Sequence, residues 1–341
     1  MVRIGKILYI VAIQFSCWMW VSGQDPVFSQ FYNTPLHMNA AFTGNTYTPM
    51  FTLHYRNQWP GLGNIYTTYA LSYDQYFDNI NGGLGLSLLT DNAGDGTLKT
   101  TNLNAYYSYR IRIKKEIYIK GGIEAGWSNT ALDWQKLQFG DALEATLQGG
   151  TPGGTQISSI EVPADNLSLN HLRLGAGFLL YNSNYYIGAS VKNINSPELH
   201  FLGNSSNTSG SLLNVPIRYS LHAGGQIILQ PGNKNRIGTF LSPNLMLQRQ
   251  KNFNQVVAGA YLSVNQVHGG LWYRHTFYNN DALIASFGIK KDFLRLTYSF
   301  DLTMSELGLD QGGSHELGIG VNFDYLYPKK QNFNDCFEIF R

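Results

Sequence analysis

Cysteine is almost absent from this chain: Cys17 and Cys336 are the only two in 341 residues. Cys17 lies in an N-terminal segment read below as removable, so no intrachain disulfide can staple what remains. Charge is also scarce, at 13% of residues. Once Arg3 and Lys6 leave with that segment, the basic residues equal the 22 acidic ones in number. A neutral chain without a basic cluster has no electrostatic footprint for nucleic acid. Past Gly23 no apolar stretch approaches the roughly 20 residues of a membrane helix. Chemistry is missing too. The eight histidines are scattered, with no HExxH and no pair at metal spacing. Asp91-Asn92-Ala93-Gly94-Asp95-Gly96 lacks the third-position carboxylate and distal Glu of a calcium loop, and reads as a tight turn. Gly82, Gly83 and Gly85 precede no helix and are no phosphate loop. No motif joins Ser, His and Asp into a catalytic group. No enzyme, cofactor or metal is expected.

What the chain does have is alternation. Leu294, Leu296, Tyr298, Phe300 and Leu302 alternate with Arg295, Thr297, Ser299 and Asp301. Leu172, Leu174, Ala176 and Phe178 alternate with Arg173, Gly175 and Gly177. Period two marks a strand with two different environments. Lys120, Glu124, Arg173, Arg218, Arg274, Lys290, Arg295 and Asp301 mostly keep to the polar phase. On a lipid face each Arg or Lys would cost ~2–4 kcal/mol at mid-membrane, so the phasing points to a polar lumen and a lipid-facing wall. The connections sort by parity. Lys114-Lys115-Glu116, Asn182-Ser183-Asn184, Asn265-Gln266 and Lys291-Asp292 are tiny, whereas Ala131 to Asp165 and Asn195 to Asn214 are long. Outer-membrane barrels have this asymmetry, with short periplasmic turns and longer outer loops. Aromatics at 14% of residues and a mean hydropathy of −0.18 fit a wall with one apolar face.

The expected fold is therefore all-β: a transmembrane antiparallel barrel of about 14 strands, even in number as such barrels require. Four parts follow. Residues 1–23 form a signal peptide, with basic Arg3 and Lys6, apolar Ile7 to Ile13, and small Ser22 and Gly23 before Gln24. The rival there is a lipoprotein signal ending at Cys17. Residues 24–48 lack alternation but carry Phe28, Phe31, Tyr32 and Phe42. Plain disorder is poor in aromatics, so a lumenal plug is preferred. Residues 49–326 form the barrel, with one strand expected at 215–229 and the last at 314–326. Residues 327–341 form a polar periplasmic tail.

Gln24-Asp25-Pro26-Val27-Phe28-Ser29-Gln30-Phe31-Tyr32, then Pro35-Leu36, then Asn39-Ala40-Ala41-Phe42-Thr43-Gly44, resembles the opening motif of the PorP/SprF family. These are outer-membrane proteins of the type IX secretion and gliding machinery of Bacteroidetes. Tyr55-Arg56-Asn57-Gln58-Trp59-Pro60 resembles the second family motif, and Asp91, Gly94 and Tyr106 to Ile111 the third. His315-Glu316 and the lone tail cysteine also fit; Ala40 stands where relatives usually have proline. The resemblance implies binding, shuttling or anchoring of exported adhesins with a type B C-terminal domain. It also implies contact with the translocon and with periplasmic ring or peptidoglycan-linked proteins. On that reading Leu137, Phe139, Ile157, Ile160, Phe201 and Leu202 are candidate cargo anchors in the long loops. His315, Glu316 and Cys336 are candidates for the periplasmic partner. Arg56 either meets a partner or pins the plug, and the structural role is preferred. The alternative function is an outer-membrane porin or FadL-like transporter of small molecules, and a lipid-acting enzyme is a third reading.

Loop parity generates a topological prediction. Cysteines introduced at Gly149 to Thr155, or at Asn204 to Ser209, should react with an impermeant maleimide on whole cells. One at Ser183 or Asn184 should not; the reverse pattern would invert the barrel.

Overall fold

The computed structural model describes residues 25–63, 65–114, 116–137, 139–141, 167–199, 213–232, 238–277, 281–304 and 311–323. One antiparallel sheet holds nearly all the strands. In chain order these are β1 (Met50–Gln58), β2 (Tyr66–Phe77), β3 (Gly82–Ala93), β4 (Leu98–Lys114), β5 (Ile117–Leu132), β6 (Ser168–Tyr181) and β7 (Tyr185–Lys192). After a short ribbon of β8 (Glu198–Leu199) and β9 (Leu213–Asn214) come β10 (Arg218–Gly225), β11 (Ile227–Gln230), β12 (Thr239–Gln250), β13 (Phe253–Val264), β14 (Val267–Thr276), β15 (Ala282–Lys291), β16 (Leu294–Thr303) and β17 (Ser314–Asn322).

The sheet closes on itself. β1 pairs with β17 along its whole length, from Met50 opposite Asn322 to Gln58 opposite Ser314, and β10 bridges β7 and β12. β10 and β11 lie one after the other beside β12, so the wall is 14 strands round. The 215–229 stretch, expected as one strand, breaks at Gln226, whose N–H donates to Asn184 O at 2.8 Å. Within the Asn195 to Asn214 connection the β8–β9 ribbon stands apart from the barrel. Closure pairs the strands on both sides, apart from the short β11, which pairs only with β12; a sheet without open edges is the condition for strands to cross hydrocarbon. No helix among the described residues is long and apolar enough to do so.

Side-chain phase follows the sequence pattern. Phe51, Leu53, Leu84, Leu86, Trp127, Leu271 and Leu296 point outward and are exposed, while Thr52, His54, Lys120, Glu124, Arg173, Arg218, Ser299 and Asp301 point inward and are buried. An exposed apolar band of this extent is foreign to a water-soluble monomer. Polarity is thus inverted, with the apolar face outside.

The barrel chain enters beside Met50 and leaves beside Asn322, at what we term the proximal end. The connections 78–81, 115–116, 182–184, 231–238, 265–266 and 292–293 lie there, and 133–167 and 193–217 lie at the distal end. The parity expectation has exceptions: the 231–238 connection is proximal and not tiny, and the two-residue connection 251–252 is distal.

Residues 25–48 run up the inside of the barrel. Near the proximal end Thr48 Oγ1 meets Asn322 Oδ1 at 3.2 Å, and Thr46 O accepts from Tyr76 N at 2.8 Å. Next, Gly44 N donates to Asp74 Oδ2 at 2.7 Å, and Thr43 O accepts from Ser108 Oγ and Lys120 Nζ, both at 2.7 Å. Gly44 has φ +67° and its Cα abuts Gly83; a Cβ there would lie 2.5 Å from Gly83 Cα, so only glycine suits. A helical turn, Pro35–Met38, begins with proline, whose fixed φ suits a first helical position. Its carbonyls accept from Lys192, Arg218 and Ser190 of the wall. Higher up, Tyr32 stacks on Trp272 with ring centroids 4.9 Å apart. Asp25 ends the path at the distal rim, against Gln250 of β12.

Gly122 on the inward face of β5 tests this packing. A Cβ there would sit 2.3 Å from Ala40 C, whereas Gly121 on the outward face has nothing within 4 Å. Gly122→Ala should destabilise by about 1–3 kcal/mol through overpacking, lowering the temperature at which the folded gel band is lost. Gly121→Ala should leave it unchanged.

Candidate functional site

The inward face can solvate nothing by itself, so each buried charge must find a partner within the lumen. One assembly sits at the seam between the first and last strands. Register places Arg56 of β1 directly opposite Glu316 of β17. Arg56 Nη1 reaches Glu316 Oε2 at 3.2 Å and its Nη2 reaches Asp301 Oδ2 of β16 at 3.1 Å. Arg274 of β14 adds a second cation to Asp301 Oδ2 at 2.9 Å. Two arginines and two carboxylates therefore balance across the wall.

The N-terminal segment completes the assembly. Ser29 N donates to Glu316 Oε2 at 2.8 Å and Gln30 N to Glu316 Oε1 at 3.2 Å. Ser29 Oγ donates to Asp301 Oδ2 at 2.5 Å and accepts from Arg56 Nη1. Phe28 lies beside the rings of His37 and His54, centroids 5.6 and 5.9 Å away, in a cluster with Ala70 and Leu89. Phe31 packs edge-on to Tyr32, within an apolar layer that includes Phe42, Tyr261 and Trp272. Asn39 caps the Ala40–Phe42 turn through Ala41 N at 2.8 Å, while its Nδ2 donates to Phe178 O and Ala189 O of adjacent strands.

A second assembly lies across the lumen, at the distal rim. Asp25 faces Arg173 at 3.2 Å and Arg218 at 3.5 Å, with Asn193 Nδ2 donating at 3.1 Å. Below it Lys192 Nζ meets Glu124 Oε2 at 2.5 Å. Neither pairing was foreseen. The charges lay on the expected face, but which strands meet across the lumen is set by closure, not by sequence spacing.

The two motif runs thus divide. Asp25, Phe28, Ser29, Gln30, Phe31, Asn39, Gly44 and Arg56 are buried or nearly so in one lumenal array, with Pro26 half-buried beside Asp25. Tyr55 instead faces outward against Tyr69, centroids 5.0 Å apart. Asn57 and Gln58 are half-buried near the distal end. Trp59 lies at the turn after β1. Its left-handed backbone (φ 58°) turns the chain over, its N–H donates to Gly313 O at 2.8 Å, and its ring meets Tyr66 edge-on.

His315 and Glu316 both open β17 at its distal end, opposite the proximal end where the barrel strands finish. Glu316 is fully buried beneath the N-terminal segment, and His315 turns outward to accept or donate at Tyr298 Oη, 2.8 Å away. Strand phase sends consecutive residues to opposite faces. Of the candidate cargo anchors, Leu137 follows the turn Trp134–Lys136 and Phe139 packs on Trp134 with centroids 4.9 Å apart, both at the distal end. Ile157, Ile160, Phe201, Leu202 and Cys336 lie outside the described residues, as do the signal segment and the tail. Among the described residues no group of His, Cys, Asp and Glu is placed to hold a metal ion.

The model of the type IX secretion system membrane protein PorP/SprF matches residues 21–321. The chain belongs to the PorP/SprF family. This family membership and the barrel fit an outer-membrane location. No curated protein matches the chain. Solved barrels resemble it loosely. The KdgM porin is 8% identical at a TM-score of 0.36, covering 80% of this chain and 99% of its own. A TodX monoaromatic hydrocarbon channel mutant is 11% identical at 0.44, covering 84% and 92%. The CymD monoaromatic hydrocarbon channel is 11% identical at 0.42, covering 88% and 92%. The fold of this PorP/SprF protein rests on its own strand pairing.

Removing Arg56 leaves Glu316 without its cross-strand cation and Asp301 with Arg274 alone. Breaking a buried pair in this way costs about 3–5 kcal/mol. Arg56→Met should lower the thermal midpoint of the detergent-purified barrel markedly. Adding Glu316→Gln should recover part of the loss, and a double variant less stable than the single one would refute the pairing.

Proposed function

We propose that this PorP/SprF protein is an outer-membrane component of the type IX apparatus that holds exported adhesins bearing a type B C-terminal domain, and that its proximal end meets periplasmic machinery. Short turns are periplasmic and long loops external in such barrels, which makes the distal end the outer one. The observation that carries the reading is the filled lumen. Residues 25–48 contact β1 to β7, β10 and β12 to β17 from rim to rim, and a barrel filled in this way is suited to holding partners at its ends rather than to passing solutes. The two long distal connections, 133–167 and 193–217, are rich in Gly, Ser, Thr and Asn by sequence, with Leu137 and Phe139 as candidate apolar anchors. Anchors of that kind typically cost ~2 kcal/mol or more on truncation.

The test is surface display. Shortening either long connection should release adhesin into the medium or stall it in the envelope, with the barrel still folded. Normal display with both shortened would sink the cargo-holder reading. The intact protein in planar bilayers should stay closed to small ions; steady conductance would favour the porin alternative.

A further inference from the structure

The distal assembly around Asp25 differs in kind from the one around Arg56. Its donors are held in place by groups other than Asp25. Arg173 Nε donates to Asn193 Oδ1 at 2.9 Å, and Arg218 Nη2 donates to His37 O at 3.1 Å. Asn193 Nδ2 and Gln250 Nε2 both donate to Pro216 O, at 3.4 and 3.2 Å. Asn193 itself has left-handed backbone, φ 57°, which aims its side chain into the cluster at a cost few residues other than Asn and Gly bear lightly. The result is a cradle of two arginines and two amides, with all four side chains at least nine-tenths buried.

What the cradle binds is visible, because a carboxylate occupies it. Asp25 accepts from Arg173 Nη2 on both oxygens at 3.2 Å, from Asn193 Nδ2 at 3.1 Å and from Gln250 Nε2 at 3.4 Å, with Arg218 Nη1 at 3.5 Å. Asp25 N donates to Gln250 Oε1 at 3.2 Å. Arg218 Nε is buried and has no partner, so the donor set exceeds what Asp25 uses. The neighbouring cation Lys192 is already matched by Glu124. Without Asp25, two buried guanidiniums would be left with only Glu124 nearby, which already pairs with Lys192, a state that strongly favours capture of another carboxylate.

The holder of that carboxylate also opens the least buried run of the described N-terminal segment, Asp25 to Val27. From Asn39 to Thr48 the chain is locked by close backbone approach to Gly83, Gly122 and Gly177, and Ser29 and Gln30 are locked by Glu316. Asp25 to Val27 is held at its end by the Asp25 contacts alone among the hydrogen bonds described, and Pro26 and Val27 are half-buried at the distal mouth. Asn193 and Pro216 are moreover the two roots of the 193–217 connection. A partner engaging that connection therefore bears on the cradle directly.

We propose that Arg173, Arg218, Asn193 and Gln250 form a carboxylate-binding site at the outer mouth, which Asp25 fills in the resting chain and which a carboxylate of an exported polypeptide takes over, releasing Asp25 to Val27. The identity of the partner rests on the secretion reading above; the site does not.

The experiment uses the full mature chain in detergent with Asp25→Ala, and with Asp25→Asn should the first fail to fold. Three labelled tetrapeptides serve as probes: one with a free C-terminal carboxylate, its C-terminal amide, and an amidated peptide carrying one Asp. On either variant at least one carboxylate peptide should bind about tenfold tighter than the neutral amide, as charged hydrogen bonds lost together would dictate. The stronger of the two tells a chain terminus from a side chain. Acetate at matched ionic strength should raise the thermal midpoint of the variant where chloride does not. Adding Arg218→Gln should abolish both effects. Equal binding of all three peptides, or equal action of acetate and chloride, would overturn the site. No exported cargo enters these measurements, so their failure leaves the secretion reading standing. Conversely, carboxylate binding in vitro with normal adhesin display by an Arg173→Gln, Arg218→Gln strain would remove the exported polypeptide as the occupant.

Discussion

Everything in this molecule depends on closing the backbone hydrogen-bond ladder. Lipid offers no partner to an N–H or C=O, so a sheet survives there only without edges. Here the last gap is sealed by β1 against β17, the two strands farthest apart in sequence. Loop-closure entropy opposes such a contact, and the seam carries more than backbone pairing. Arg56 and Glu316 face each other across it, and Asp301 one strand further on binds the same guanidinium. The buried ion network thus marks the correct register at the joint, since a one-residue slip would send Arg56 to the lipid face.

Inverting polarity has a second consequence. An ordinary core is apolar and accepts almost any apolar filler of the right volume. This lumen is lined by Thr, Ser, Asn, Lys, Arg, Asp and Glu, and a filler must meet each of those groups. Residues 25–48 do so with few side-chain charges of their own. They supply backbone: Ser29 and Gln30 amides to Glu316, and Leu36, His37, Met38 and Thr43 carbonyls to Lys192, Arg218, Ser190 and Lys120. Segments of irregular backbone are rich in unpaired amides and carbonyls, which suits a polar interior. A regular helix would have spent those groups on itself.

The segment also joins the two ends of the barrel. Its Thr48 lies beside Asn322 at the proximal end, and its Asp25 lies at the distal end beside Asn193, the root of the 193–217 connection. Glycines at 83, 122 and 177 let its proximal half lie flush on the wall, and charge holds its distal tip. A rigid base with an ionically held tip places any give at the outer mouth, next to the surface proposed to meet exported protein.

Much of this was written in the chain itself. Alternation of residues such as Leu296 and Arg295 determined the strands and their faces, because a strand in lipid has no freedom about which side carries charge. The aromatics and prolines of residues 24–48 marked that stretch as something other than a strand. Strand ends were less legible: Gln226 reads as strand but is drawn off by the 182–184 turn, a neighbour only the fold supplies. Glu316 and His315, adjacent in sequence, read as one motif. Their separation to opposite faces follows from phase, but the meeting of Glu316 with Ser29, and of Asp25 with Arg173 and Arg218, required closure. Sequence spacing determines what lies along a strand. What lies across the lumen is decided by which strands close the circle, and that is a property of the tertiary structure alone.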